Sequence, residues 1–207
     1  MDIQWFGQDC IRLESARGSL VINPYLSRDG VPVPGVDANV VSMTRRGARP
    51  PDGAVTNDAF LVSGPGEYEI GGIFIIGVSA PGPEDSEGTT TAYSIAADGL
   101  SVCHLGSLCG SPSQSAMERL GKIDVLIIPF GGEASLTPAR AAELVSRLEP
   151  ALLIPLDAGE SPDSEFISRF LGEMGMDRPE SETTLRVLPN RLPDDAEVRL
   201  LVPQSTN

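Results

Sequence analysis

Polar and apolar residues alternate over short runs in the first half of the chain. Ile3 to Phe6, Cys10 to Glu14 and Ser19 to Ile22 are β-type runs broken by Gly7 and by Arg17-Gly18, which predicts three strands. In Cys10-Ile11-Arg12-Leu13-Glu14 the alternation leaves one face wet. Asn39 to Met43 is apolar and β-branched, as in a strand buried on both faces. Phe60 to Ser63 is a further short strand. Glu67 to Ile70 and Ile73 to Val78 flank Gly71-Gly72, and Thr91 to Ala97 and Leu100 to His104 flank Asp98-Gly99. Both arrangements predict hairpins.

The second half changes period. Ser113 to Leu120 is a short helix candidate, and Ile123 to Ile128 is a buried strand ending at Pro129. Thr137-Pro138 combines a favoured N-cap with a favoured first helical residue. Ala141, Leu144, Val145 and Leu148 then fall on one helical face. Ala151 to Ile154 is the next strand. Ser161-Pro162 repeats the helix-start signal, with Phe166, Ile167, Phe170, Leu171 and Met174 as the inward face. Leu185 to Leu188 and Val198 to Val202 close the chain as strands. Ala80 to Gly88, rich in Pro, Gly and acids, reads as a mobile surface loop. No repeat or boundary divides residues 1–207, so one domain is expected. Strands followed by alternating helices and strands imply sheets covered by helices, an α/β (α+β) class.

Composition narrows the partners. The chain has 207 residues, 41% hydrophobic and 21% charged, which is globular, and a formal net charge of -14. That charge disfavours nucleic acid and anionic membrane as partners. No signal peptide or transmembrane run is visible and the three cysteines form no framework, so a cytoplasmic protein with buried thiols is expected. Within this acidic chain, Met43-Thr44-Arg45-Arg46-Gly47-Ala48-Arg49 gathers three arginines at the end of an apolar strand.

The usual chemistries find little to use. His104 is the only histidine, so no Ser-His-Asp order can be built, and G-x-S-x-G is absent. Cys103, His104 and Cys109 lack the paired spacing of a zinc site. Gly64-Pro65-Gly66 has no third glycine, and Phe130-Gly131-Gly132 lacks the Lys and Ser/Thr of a phosphate loop and reads as a tight turn. Three strand ends remain as places where functional groups collect: the arginine run, His104 with Ser107, and Asp157. The alternative reading for each is an isolated surface charge or ion pair.

The order of motifs resembles the metallo-β-lactamase-fold hydrolases, in the branch similar to ascorbate-phosphate lactonases and short metal-dependent hydrolases. Trp5-Phe6-Gly7-Gln8-Asp9-Cys10 resembles W-x-G-H-S-C, and Ile22-Asn23-Pro24-Tyr25 resembles I-D-P-Y. Gly64-Pro65-Gly66-Glu67-Tyr68-Glu69-Ile70 matches G-P-G-E-Y-E-I, and Cys103-His104-Leu105-Gly106 resembles C-H-L-G-D. Asp124 to Gly132 resembles D-V-L-L-I-P-V-G-G, and Ile154-Pro155-Leu156-Asp157 resembles I-P-M-H. The resemblance implies a four-layer αββα sandwich with one or two metal ions at one edge, where a metal-bound water attacks the substrate.

The same alignment places the family's metal ligands on unsuitable residues. The histidines and aspartate of H-x-H-x-D-H fall on Arg45, Gly47, Arg49 and Pro50. The bridging aspartate falls on Ser107, the late histidine on Asp157 and the opening histidine on Gln8, while the middle histidine has no counterpart near Ser79-Ala80-Pro81. Arginine keeps its proton and cannot coordinate a metal. The resemblance therefore implies a catalytically degenerate binding or scaffold module without metal or other cofactor. Its candidate remnant cleft comprises Gln8, Asp9, Arg45, Arg46, Arg49, His104, Ser107 and Asp157. A small anionic ligand is the expected partner, with Arg45 or Arg49 pairing with Asp157 and Asp9, and the family's habit implies a homo-oligomer. The alternative is a metal-dependent hydrolase with a non-standard site.

Overall fold

In the computed structural model, which describes residues 1–24, 35–84, 87–130, 136–157 and 161–204, the alternating runs pair into two large sheets. The strands are β1 (Asp2–Trp5), β2 (Ile11–Ser15), β3 (Gly18–Ile22), β4 (Val40–Met43), β5 (Phe60–Ser63), β6 (Gly66–Ile70), β7 (Ile73–Pro81), β8 (Thr89–Ala97), β9 (Leu100–His104), β10 (Val125–Phe130), β11 (Leu152–Asp157), β12 (Ser181–Glu182), β13 (Leu185–Arg186), β14 (Glu197–Val198) and β15 (Leu200–Leu201). The first sheet runs β13-β1-β2-β3-β4-β5 and the second β14-β11-β10-β9-β8-β7-β6, with β12 and β15 forming a small ladder. β3, β4 and β5 are parallel, as are β9, β10 and β11. Their carboxyl ends lie at one end of the molecule, where functional groups of open sheets collect.

Three apolar layers hold the sheets. Trp5, Ile22, Ile75, Tyr93, Val102, Ile127 and Ile154 fill the space between them. The helices α1 (Gln114–Leu120), α2 (Pro138–Leu148) and α3 (Glu165–Met174) cover the second sheet through a cluster that includes Leu126, Leu144 and Phe170. Among the described residues the outer face of the first sheet carries Cys10, Val21, Val36 and Ala38, packed by a loop rather than a helix. The architecture is the expected α/β sandwich of two mixed sheets with few helices. No described helix is long and apolar enough to cross a membrane.

Several boundaries depart from the sequence reading. β10 continues through Pro129 to Phe130. Ile127 offers its carbonyl to Leu105 on the β9 side, so by alternation Pro129 points its missing N–H to that same side. β9 has already ended at His104, so no ladder bond is lost there. α3 starts at Glu165, capped by Ser164 rather than Ser161, and the Ser164 hydroxyl accepts from the Ile167 N–H at 3.3 Å. Ser161 instead closes a short turn with Asp163. Phe166 consequently rotates outward and is 43% exposed. The loop expected over 80–88 is shortened at its start, because β7 runs on through Ala80 and Pro81, paired with Thr90 and Thr89 of β8. The last strands are only two residues each, although Val187 extends the β1 ladder through paired bonds with Met1 and Arg199 extends the β11 ladder through a bond to Leu153. The Gly131-Gly132 turn and Tyr25 lie outside the described residues.

Tyr93 ties the two sheets near their carboxyl ends. Its buried hydroxyl donates to the Met43 carbonyl at 2.8 Å and accepts from the Gly64 N–H at 2.9 Å. Replacing it with phenylalanine leaves both backbone groups unsatisfied, at a cost of about 1–3 kcal/mol. Tyr93→Phe is therefore expected to lower the midpoint of urea unfolding well beyond Tyr68→Phe, whose partly buried hydroxyl makes one bond to Gly64 at 3.3 Å. Equal midpoints would show that the tie contributes nothing.

Candidate functional site

The turn between β1 and β2 builds the first wall. Gly7 and Gln8 both adopt positive φ, at 94° and 47°. The Trp5 indole donates to the Gln8 carbonyl at 3.0 Å and the Cys10 N–H closes the turn on Gly7 at 2.9 Å. This fixes Gln8 on the turn and aims Asp9 across the strand ends. Asp9 is half-buried, and Asn23, just past β3, donates to its carboxylate at 2.6 Å.

Asn23 is fully buried with φ of 49°, a left-handed conformation that asparagine tolerates better than most residues. Its amide also donates to the Thr44 hydroxyl and accepts from the Thr44 N–H, each at 2.8 Å. Thr44 sits one residue beyond β4, and its carbonyl accepts from the Thr91 N–H at 2.7 Å, crossing to the second sheet.

His104 closes the chain of contacts from the other side. The Gly106 N–H donates to Nδ1 at 3.0 Å, so Nδ1 carries the lone pair and Nε2 carries the proton, which reaches the Asp9 carbonyl at 3.1 Å. Gly106 has φ of 63°, and a Cβ there would lie 2.6 Å from the Thr90 hydroxyl and 3.0 Å from Thr44 Cβ. Glycine is thus required by the close approach as well as by the backbone. Burial holds His104 down at about 4, against the hydrogen bond to Asp9. Burial likewise pushes Asp9 up to about 6, against the Asn23 hydrogen bond, a backbone hydrogen bond and the charge of Arg45.

The remaining candidates lie at or just beyond the ends of β4, β9 and β11. Arg45, Arg46 and Arg49 are exposed on a turn in which the Ala48 N–H bonds the Arg45 carbonyl at 3.2 Å and the Ser63 hydroxyl bonds the Ala48 carbonyl at 3.2 Å. Arg45 is near enough for its charge to act on Asp9, and the stem of Arg46 lies over Gly64. Asp157 ends β11 and is buried, paired across the ladder with Phe130. Ser107 is exposed just beyond β9. Asn23, Thr44 and Thr91 complete the site and were not singled out from sequence. The one signal for them was Asn23 standing where I-D-P-Y has its aspartate.

These donors do not suit the hydrolytic metal centre the fold implies. Both nitrogens of the sole histidine are engaged by backbone groups, leaving no lone pair for an ion. Among the described residues no group of three or more His, Cys, Asp or Glu side chains could hold a metal. Burial raises the thiol of Cys10 and pushes Cys103 up to about 12, away from the thiolate a metal needs.

The two perturbed groups oppose each other with pH. His104 titrates below its ordinary 6.5, so its stabilising contribution is complete above pH 6.5 and is lost as pH falls towards 4. Asp9 titrates above its ordinary 3.8, so its contribution is complete below that value and is lost as pH rises through 6. His104→Gln removes the first effect. The stability gap between the parent chain and this variant should therefore narrow by about 3 kcal/mol between pH 7 and pH 4. Asp9→Asn should shift the profile with the opposite slope. Urea unfolding across that range checks both, and parallel profiles would contradict the assignment.

Comparison with known proteins agrees with the fold. The beta-lactamase superfamily domain description matches residues 2–157. A UPF0173 protein of Pyrococcus furiosus is 27% identical over 190 residues, covering 80% of this chain and 89% of that protein. A UPF0173 metal-dependent hydrolase of Thermococcus kodakarensis is 28% identical over 117 residues, 52% of either chain. A crystal structure from Thermotoga maritima, assigned to the zinc-dependent hydrolases of the metallo-β-lactamase superfamily, superposes with a TM-score of 0.80 at 26% identity, covering 98% of this chain and 99% of its own. The chain belongs to the metallo-β-lactamase superfamily.

Proposed function

We propose that the chain is a catalytically degenerate member of this superfamily that binds a small anion at its cleft mouth without a metal. The observation that carries this reading is the engagement of His104 on both ring nitrogens, in a chain with no second histidine. The family's other ligand positions hold Arg45, Gly47, Arg49, Pro50, Ser107 and Asp157. Guanidinium groups suit carboxylate and phosphate, and three of them share one turn at the cleft. Arg45 favours the charged form of Asp9, which supports a pairing across the mouth, with Asp157 as a second partner for Arg45 or Arg49. Gln8 and Ser107 lie on the turns that frame the same end.

The names of the relatives carry the competing reading, a metal-dependent hydrolase with a non-standard site. Metal analysis of protein purified without chelator separates the two. Metal well below one equivalent per chain is expected, and near-stoichiometric zinc, manganese or iron would overturn the proposal. Small phosphorylated or carboxylated compounds should raise the melting temperature of the parent chain and leave an Arg46→Gln/Arg49→Gln variant unmoved. An equal rise in that variant would remove the arginines from the site.

A further inference from the structure

A second arginine cluster lies at the opposite end of β11 from Asp157. The strand runs from Leu152 to Asp157, a separation of about 17 Å at the usual rise. Beside Leu152 is a cavity of about 400 Å³. It lies between β13 with the 3-10 turn Pro189–Arg191 on one side and β14 with Arg199 on the other. Arg186, Arg191 and Arg199 line it against one acidic residue, Glu197, while Leu152 and Val187 contribute apolar surface. The whole chain has 15 basic and 29 acidic residues, so a lining with three arginines to one acid departs from the average of the chain.

Two of these arginines are held in place. Arg186 donates through Nε and Nη2 to the two oxygens of Asp2, each at 2.7 Å. Arg199 donates through Nη2 to Glu182 at 2.5 Å. A guanidinium has five N–H groups, so each pairing orients the plane and spends only part of its donor capacity. Arg191 is exposed on the 3-10 turn, and its side chain makes no ion pair among the described residues. Surface ion pairs by themselves contribute about 0–1 kcal/mol, and they do not require a cavity between them. The cavity's size falls within the range of small-ligand sites, roughly 300–1,000 Å³.

We infer that this cavity is a binding site for a small oxyanion carrying a short apolar chain, distinct from the cleft at the other end of the sheet. The anionic head meets Arg191 and the remaining donors of Arg186 and Arg199, and the chain lies against Leu152 and Val187. Carboxylate and phosphate heads share this chemistry. Titration calorimetry at low salt with hexanoate and hexyl phosphate, against acetate and inorganic phosphate, tests it and distinguishes the heads.

At least one of the two chain-bearing anions should bind saturably and about tenfold or more tighter than its short counterpart. Arg191→Gln should weaken that binding about tenfold or more, and Glu197→Gln should tighten it several-fold by removing the opposing charge. Arg119→Gln, a remote charge change, should leave it unaltered. Matching melting temperatures establish that the variants fold. No saturable binding by either chain-bearing anion overturns the inference, as does binding indifferent to Arg191→Gln. Loss of binding in Arg46→Gln would place it at the cleft and overturn it equally.

Discussion

His104 has one proton to donate, and it donates it to the backbone of a different sheet. The Asp9 carbonyl that receives it lies on the β1–β2 turn, so this bond sets how far that turn leans over the strand ends. From there the path is continuous. Asp9 receives Asn23, Asn23 holds Thr44 twice, and the Thr44 carbonyl returns to the second sheet through Thr91. Each link joins residues distant in sequence, so the ordering cost of several loops is shared among bonds that are individually worth about 1 kcal/mol. The neutrality of the imidazole is a condition of the arrangement. A charged His104 would carry a proton on each nitrogen and need acceptors facing both, whereas a donor, the Gly106 N–H, already faces Nδ1.

The same bonds decide what the site can do with charge. A hydrolytic metal needs ligands with available lone pairs, and the lone pair on His104 is spent on Gly106. Arginine could replace only the metal's charge, and the magnitudes limit even that. A bound cation would drive a neighbouring carboxylate far down, whereas Asp9 stands near 6 because burial outweighs the pull of Arg45. Arg45 is exposed, and water screens its field before it reaches the carboxylate. The pull of Arg45 on Asp9 is therefore the smallest of the influences on that carboxylate.

Much of the sandwich was legible because buried strands and hairpins have local signatures. The hairpins around Gly71-Gly72 and Asp98-Gly99 and the cap at Thr137 depend on residues within a few positions. Errors arose where tertiary context overrode a local signal. Pro129 stays in a strand because its neighbour had already ended, and Ser161 loses its cap to Ser164, which precedes an acidic first turn. At the site, alignment with a family's ligands names candidate positions and does not show what each one bonds. Nothing in His104-Leu105-Gly106 shows that the glycine N–H faces the imidazole, and nothing in Asn23 shows that it spans two neighbours. Those facts depend on the packing of Thr44 and Thr90 against Gly106.

The arginine turn after β4 and the arginine cluster beside Leu152 take their meaning from the acidity of the rest. Beyond about 10 Å, salt screens individual charges, so a small anion near either cluster experiences mainly the local guanidinium groups. A polyanion such as nucleic acid spans many screening lengths and must also lie against the acidic surface of a chain carrying -14. On the proposed readings, the same side chains would therefore favour a small anion over a polyanion. Held carboxylates strengthen this selectivity. Asp2 fixes Arg186 and Glu182 fixes Arg199, so these guanidinium groups cannot reach far from the surface towards an extended partner, and their remaining donors are available only to a ligand small enough to enter between them.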